Sequence, residues 1–175
     1  MRLLRSGLSG QEIRNVAEGL AEVLSLKIPS GLGSSRKDFS QDVKTLRRIL
    51  EQGVGWAREQ GYASKEDAAH IEAEGCISGA EPGQVSERAL ERGKSQLGTL
   101  GSGNHFLEVG YVRKVFDERA ALAMGLEKDR ATVLIHTGSR GLGHQICSDS
   151  LSLMVQAARS HGIHLPDRQL CCAPI

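Results

Sequence analysis

The sequence of 175 residues predicts an α+β fold, and two observations support this prediction. Apolar residues recur at helical spacing in the first half of the chain, beginning with residues 11–26. Runs typical of strands follow in the second half, at residues 106–112 and in "RATVLIH", which ends at His136 and contains several β-branched residues. Loops rich in glycine and serine, such as "IPSGLGSSRKDFS", separate these elements.

Capping residues indicate where the helices begin. Ser9 precedes the first helix, and Ser40 is placed to cap a second helix, residues 41–60, which Gly53 and Gly55 weaken while permitting close packing. The stretch "SKED" has a serine followed three places later by an acid, the pattern of a capping box. We expect helices over the following ranges: 11–26, 41–60, 64–74, 85–96, 116–124 and 144–161.

The composition excludes several classes of protein. Hydrophobic residues make up 39% and charged residues 25% of the chain, as in ordinary globular proteins. The net charge of +1 provides no overall field toward nucleic acid, so any phosphate binding must come from local arrangement. No apolar run reaches membrane-spanning length, which predicts that the chain has no membrane partner. Four cysteines without CxxC spacing indicate a reducing, cytoplasmic setting.

Two glycine-rich loops are the candidate functional segments. The loop "HTGSRGLGH", residues 136–144, lies between an apolar strand and a long predicted helix. Converging backbone amides and the helix N-terminus would favour an anion there, and Arg140 would add a bidentate contact to a phosphate. The spacing matches neither a Walker A loop nor a GxGxxG fingerprint. On spacing alone, a plain strand-to-helix turn with a surface arginine is an equal alternative.

Two histidines mark these loops as candidate metal sites. His136 ends the apolar strand, and His105 lies in the other loop, "LGTLGSGNHFLEVG", with Asn104 before it and Glu108 three residues after it. Imidazole is a common ligand of transition metals, and a metal beside a phosphate suits phosphoryl or nucleotidyl transfer. The alternative for each is a hydrogen-bonded structural histidine. His70, His161 and His164 are expected to be solvated, whereas His144 could cap its helix or bind phosphate, although a histidine at a helix N-terminus usually has no special role.

At these two loops the sequence resembles a known family. The stretches "GTLGSGNHFLEV" and "IHTGSRGLGHQI" resemble the RtcB family of GTP- and manganese-dependent RNA-splicing ligases. Further matching stretches are "RLLRSGL", "IPSGLGS", "GYASKEDAAHIEAEG", "VSERALERGKSQLGTLGSGNHF" and "LPDRQLCCAPI". The resemblance covers essentially the whole chain, and the two loop motifs are long and specific.

The resemblance implies an RtcB-like mixed fold of sheet and helices, and RNA ligation through a guanylylated histidine. A family enzyme transfers GMP from GTP to a histidine and then to an RNA 3′-phosphate, which a 5′-hydroxyl attacks. Two Mn²⁺ ions organise the phosphates. The implied partners are GTP and RNA, either tRNA halves or broken RNA with 3′-phosphate or 2′,3′-cyclic phosphate ends.

Particular residues match the family's functional positions. The resemblance implies that His105 and His136 ligate metal, that Asn104 contacts the guanylate phosphate, and that Arg140 holds the RNA phosphate. It also implies a nucleotide site lined by Asn104, His105, Phe106, Leu107 and Glu108.

Other family motifs are absent from this sequence. The family's Asp and bridging Cys stand in a "DxxCG"-type motif upstream of "RLL", and its guanylylated histidine lies beyond "CCAPI". We therefore expect residues 1–175 to form a partial RtcB-like domain, truncated at both ends. We expect no catalytic nucleophile, and no RNA joining by this chain alone.

Two alternatives remain open. The first is a non-catalytic module that keeps the phosphate loop and binds RNA or a partner protein, although the sequence has no basic stripe for strong RNA binding. The second is one part of a split enzyme whose missing segments are supplied in trans.

Overall fold

The computed structural model describes residues 2–174, apart from the side chains of Arg2 and Arg168. The chain divides into two compact units. The sheet unit contains the residues up to Asp38 together with Gly98–Gly138, and the helical unit contains Phe39–Leu97 and the residues from Ser139 onward. Among the described residues no helix is long and apolar enough to cross a membrane.

In chain order the elements are β1 (Arg2–Ser9), α1 (Gly10–Lys27), α2 (Val43–Gln52), α3 (Val54–Glu59), α4 (Lys65–Ala69), α5 (Glu87–Gly93), β2 (Phe106–Tyr111), α6 (Glu118–Met124), β3 (Arg130–His136) and α7 (Arg140–Ser160). Short 3-10 turns lie at Lys37–Phe39, Glu72–Gly75, Pro82–Gln84 and Arg168–Leu170. The predicted α+β class is confirmed.

A three-stranded antiparallel sheet organises the sheet unit. The strand order is β1-β3-β2, so the apolar strand that ends in His136 is central. Phe106 is opposite His136 and Tyr111 is opposite Ala131, which is fully buried. The register of β1 against β3 shifts between Arg5 and Ser9. Both strands predicted in the second half of the chain are confirmed.

Helix α1 follows β1 directly and covers one face of the sheet. Ser9 caps it, and the Glu12 carboxylate accepts from the Ser9 backbone amide at 2.7 Å, which completes a capping box. Ile13 is buried on the inner side of this helix. Between the helix and strand β2 lies a groove of about 390 Å³, lined on the strand side by Leu107 and Val109. The predicted helix over residues 11–26 is confirmed to within one residue at each end.

The helical unit is built around a leucine core. Leu46 from α2, Leu90 from α5 and Leu142 from α7 form a buried cluster, and Leu90 is fully excluded from solvent. Helices α5 and α7 approach closely because Gly93 faces Leu142. A Cβ built on Gly93 would lie 2.7 Å from Leu142 Cδ1.

The predicted helix over residues 41–60 is wrong as a single element. The helix is interrupted at Gly53, where φ is 53° and ψ is −128°, and two short helices, α2 and α3, lie on either side of this residue. The cap is also Asp42 rather than Ser40, because the Asp42 carboxylate accepts from the Thr45 amide at 2.6 Å.

The ends of three other helices differ from the prediction. The capping box of α4 forms between Ser64 and Asp67, but the helix ends at Ala69 rather than at residue 74. Ala73 and Glu74, inside the predicted range, adopt positive φ angles of 51° and 52°, in the left-handed region, so a right-handed helix does not continue through them. Helix α5 covers residues 87–93 of the predicted 85–96, and α7 begins at Arg140, inside the glycine loop, rather than at residue 144.

Candidate metal and nucleotide site

Strand register brings the two predicted metal ligands together in the sheet unit. His136 is the last residue of β3, and His105 immediately precedes Phe106, the first residue of β2. Since Phe106 is opposite His136 across the antiparallel ladder, both histidines lie at the same end of the sheet. Their ring centroids are 6.2 Å apart, with 39° between the ring planes.

His105 has a nitrogen that the surrounding protein does not satisfy. Its Nδ1 atom is buried, and no hydrogen-bond partner for it exists among the described residues. Buried polar atoms are nearly always paired, so an orphaned imidazole nitrogen indicates a ligand. The other nitrogen lies beside bare backbone, since a Cβ built on Gly138 would lie 3.6 Å from His105 Nε2, an ordinary van der Waals distance. The unsatisfied Nδ1 is therefore the observation that marks His105 as a candidate ligand.

Phe106 packs against the second histidine. The two ring centroids are 5.4 Å apart at an angle of 49°, and the Phe106 side chain is still 37% exposed. This contact restricts the orientation of the His136 imidazole and leaves an aromatic edge at the surface. Asn104, in the turn just before His105, is also exposed. These residues can therefore meet a ligand at one end of the sheet.

The other two residues predicted to line the nucleotide site, Leu107 and Glu108, have side chains on opposite faces of strand β2. Glu108 is exposed on the same face of β2 as Phe106. Leu107 has the opposite orientation, and its side chain lines the groove against α1. The structure thus groups Asn104, His105, Phe106 and His136, places Glu108 further along that face, and directs the Leu107 side chain away.

The histidine pair fits part of a metal site. Within the described residues, no group of three or more His, Cys, Asp or Glu side chains is placed to hold a metal ion. Two imidazoles suit a transition metal, and the orphaned Nδ1 of His105 agrees with a ligand role, but a complete coordination sphere needs further donors.

Arg140 opens helix α7 in the helical unit, and its surroundings differ from the predicted anion loop. The Gly141 amide donates to Gln96 Oε1 at 2.8 Å, so one backbone group that the sequence suggested for an anion is occupied by protein. Ser139 makes no side-chain capping bond to this helix. Any phosphate contact at this position therefore depends mainly on the Arg140 guanidinium. The three histidines expected to be solvated are exposed, His70, His161 and His164, and His144 is exposed as well.

A chain of polar contacts that the sequence does not predict joins α5 to α7. Arg92 donates to Gln145 Oε1 at 2.8 Å, and Gln145 donates to Asp149 at the same distance. Ser86 Oγ donates to the other Asp149 oxygen at 2.7 Å. Gln145 and Asp149 have the i, i+4 spacing of neighbours on a helix, but the other partners are far apart in sequence, so no local pattern predicts their hydrogen bonds.

This polar chain predicts a pH-dependent contribution to stability. Hydrogen bonds from Ser86 and then Gln145 hold the pKa of the Asp149 carboxyl below its ordinary value. A lowered folded-state pKa stabilises the fold above the unfolded pKa of about 3.9, and this stabilisation is lost as the pH falls through the folded value. We expect Asp149→Asn to unfold at lower urea concentration at pH 7, and the difference from the parent to shrink at pH 3.

The control for this measurement is Glu18→Gln, a change at an exposed position of α1. Its urea midpoint should stay with that of the parent chain at both pH values. If the urea midpoints of Asp149→Asn and the parent differ as much at pH 3 as at pH 7, the charge of the Asp149 carboxylate does not contribute to this stabilisation.

The fold and this site define a class of protein. The chain is an α+β protein with paired imidazoles at the end of an antiparallel sheet, an arrangement that suits a transition metal. The family model described as "tRNA-splicing ligase RtcB" matches residues 1–175. The chain therefore belongs to the RtcB family.

Archaeal relatives match along the whole chain. The chain is 53% identical over 175 residues to a tRNA-splicing ligase RtcB of Methanocaldococcus jannaschii, covering 99% of this chain and 18% of the relative. It is 50% identical to that of Archaeoglobus fulgidus and 47% to that of Methanococcus maripaludis, covering 100% of this chain and 36% of each relative. The chain thus spans about a third or less of the length of these relatives.

Proposed function

We propose that this chain supplies part of the active site of an RNA ligase. The ligase uses GTP and Mn²⁺ to join an RNA 3′-phosphate or 2′,3′-cyclic phosphate to a 5′-hydroxyl through a guanylylated histidine. The observation that carries the proposal is the buried, unsatisfied Nδ1 of His105 beside His136, in a chain that matches the tRNA-splicing ligase family from end to end. The substrates are the ends of tRNA halves or of broken RNA.

Each residue of the site has a proposed part. His105 and His136 ligate Mn²⁺, and bound metal would neutralise charge on the phosphate oxygens. Phe106 restrains the His136 ring that it contacts. Asn104 and Glu108 present exposed polar side chains to the nucleotide, whereas Leu107 contributes through its backbone because its side chain faces α1.

Arg140 is the proposed contact to the RNA phosphate. A guanidinium offers two parallel donors to phosphate oxygens, which suits recognition of a terminal phosphate in particular. The position at the start of α7 supports this part, because the positive end of the helix dipole favours an anion there.

We further propose that these 175 residues do not join RNA on their own. The described residues offer two imidazoles and no third His, Cys, Asp or Glu grouped with them, so the metal donor set needs ligands from elsewhere.

A cytoplasmic location agrees with the cysteines of the chain, since Cys76, Cys147, Cys171 and Cys172 are free thiols.

A chimera tests the proposed function. Residues 1–175 would replace the matching segment of the Archaeoglobus fulgidus relative, and RNA joining would be measured with GTP, Mn²⁺ and RNA carrying 3′-phosphate and 5′-hydroxyl ends. We expect the chimera to join these ends, and His136→Ala to lower the rate at least about 100-fold.

The matched control is His161→Ala, which removes an exposed histidine at the C-terminal end of α7. This variant should join RNA at the rate of the unsubstituted chimera. An inactive chimera that folds would favour a non-catalytic binding module. Full activity after loss of His136 would contradict the assigned metal ligand.

A further inference from the structure

The motif "SRGLG" at the start of α7 has a local steric explanation in the helical unit. A Cβ built on Gly141 would lie 2.8 Å from Gln96 Oε1, and one built on Gly143 would lie 1.8 Å from Ser139 Oγ. Both glycines therefore make room for a polar side chain that lies against the first turn of the helix. At Gly141 the side chain comes from residue 96, far away along the sequence.

Arg140 has an unusual backbone in this turn. Its φ angle is +53°, in the left-handed region that residues with a Cβ rarely adopt. Such a conformation persists where the surrounding structure over-determines it, and it is concentrated at functional positions. The contacts around Arg140 are therefore expected to hold its backbone in place.

Gln96 supplies a contact of this kind. The amides in the first turn of a helix have no partner within the helix, and Ser139 gives no side-chain cap here. Gln96 Oε1 accepts from the Gly141 amide, which belongs to the peptide unit that immediately follows Arg140. Gln96 thus acts as the side-chain cap of α7 from outside the helix.

The position of Gln96 is itself well determined. Its backbone amide donates to the Gly93 carbonyl at 2.9 Å, in the turn that ends α5. Gly93 packs directly against Leu142, so the end of α5 lies close to the start of α7. This close approach keeps the Gln96 side chain next to the Gly141 amide, beside Arg140.

We infer that Gln96 is a positioning residue for Arg140: it holds the Arg140–Gly141 peptide so that the guanidinium is presented to a terminal phosphate of RNA. The inference rests on the proposed function, which assigns that phosphate to Arg140. Gln96 itself need not touch RNA. Its contribution is selective, because it affects recognition of the phosphate and not the contacts that any RNA strand makes.

The test uses the full 175-residue chain and two short RNA oligonucleotides of the same sequence, one ending in a 3′-phosphate and one in a 3′-hydroxyl. Gln96→Met keeps the length of the side chain and removes the carbonyl acceptor. Binding of each oligonucleotide is measured by fluorescence anisotropy, and hydrogen exchange of the Gly141 amide is followed by NMR. Gln84→Met, at an exposed glutamine of the same unit, is the control.

We expect the parent chain and Gln84→Met to prefer the 3′-phosphate, and Gln96→Met to reduce that preference about tenfold. Affinity of Gln96→Met for the 3′-hydroxyl should not change, whereas Gly141 should exchange faster. Gln96→Glu, which retains an oxygen acceptor, should restore the protection of Gly141.

Two different failures can be told apart. If the parent chain prefers the 3′-phosphate and Gln96→Met keeps the full preference while Gly141 loses protection, the positioning role is wrong and the phosphate contact stands. If the parent chain shows no preference between the two ends, the proposed phosphate contact of Arg140 is wrong, and the role of Gln96 is overturned with it.

Discussion

Replacing His105 or His136 by alanine is expected to weaken Mn²⁺ binding by this chain at least about tenfold. The two rings lie 6.2 Å apart at the end of the sheet, and the Nδ1 atom of His105 is buried without a partner among the described residues. Each imidazole supplies one nitrogen donor, so losing either leaves a single donor, which cannot chelate the ion. Calorimetric titration of the chain and its variants measures the change.

The control for the titration is His161→Ala. This histidine is exposed at the C-terminal end of α7, and within the described residues it belongs to no group of three or more His, Cys, Asp or Glu side chains placed to hold a metal ion. Its loss should leave the titration curve of the parent chain unchanged. Equal affinities in all three variants would show that Mn²⁺ binds elsewhere, or at no defined place.

Gly53→Ala is expected to lower the free energy of unfolding by roughly 2–4 kcal/mol. Gly53 combines φ of 53° with ψ of −128°, a conformation that side chains disfavour. A Cβ there would also lie 2.0 Å from the Gly75 carbonyl oxygen, and backbone cannot swing aside as a flexible side chain would. Both effects act on the junction between α2 and α3.

Gly19→Ala is the control for this substitution, and its expected effect on stability has the opposite sign. Gly19 lies within α1, and a Cβ built on it meets no atom within 4 Å. Alanine there should stabilise the chain by about 0.5–1 kcal/mol through helix propensity. Urea unfolding of both variants measures the contrast. A Gly53→Ala chain that unfolds at the same urea concentration as the parent would show that the break between α2 and α3 is not imposed by Gly53.

Features that depend on neighbouring residues could be predicted from the sequence. The cap at Ser9 and the capping box at Ser64 join residues three places apart, so the sequence alone predicts them. The apolar β-branched run before His136 likewise predicts a strand without knowledge of its partners. These local rules gave the α+β class and most helix starts.

Features that depend on distant contacts could not be predicted. The break at Gly53 reflects a close approach to Gly75, and the apolar periodicity of residues 41–60 continues through it unchanged. The cap on α7 comes from Gln96, which no spacing rule connects to Gly141. Both cases need the tertiary structure, because only there are the partners neighbours.

The candidate site lies between these cases. Both histidines were candidates from their loops, and strand register then brought them together at one end of the sheet. Alternation along β2 explains why the Leu107 side chain does not join them. Leu107 is adjacent to Phe106 in sequence and therefore faces the other side of the sheet.

NMR of the histidine rings during a Mn²⁺ titration shows whether His105 and His136 together hold a metal ion. Paramagnetic Mn²⁺ broadens the signals of nuclei close to it. We expect the imidazole signals of His105 and His136 to broaden first and together, at low ratios of metal to protein. Broadening that begins at other histidines, while these two rings stay sharp, would contradict it.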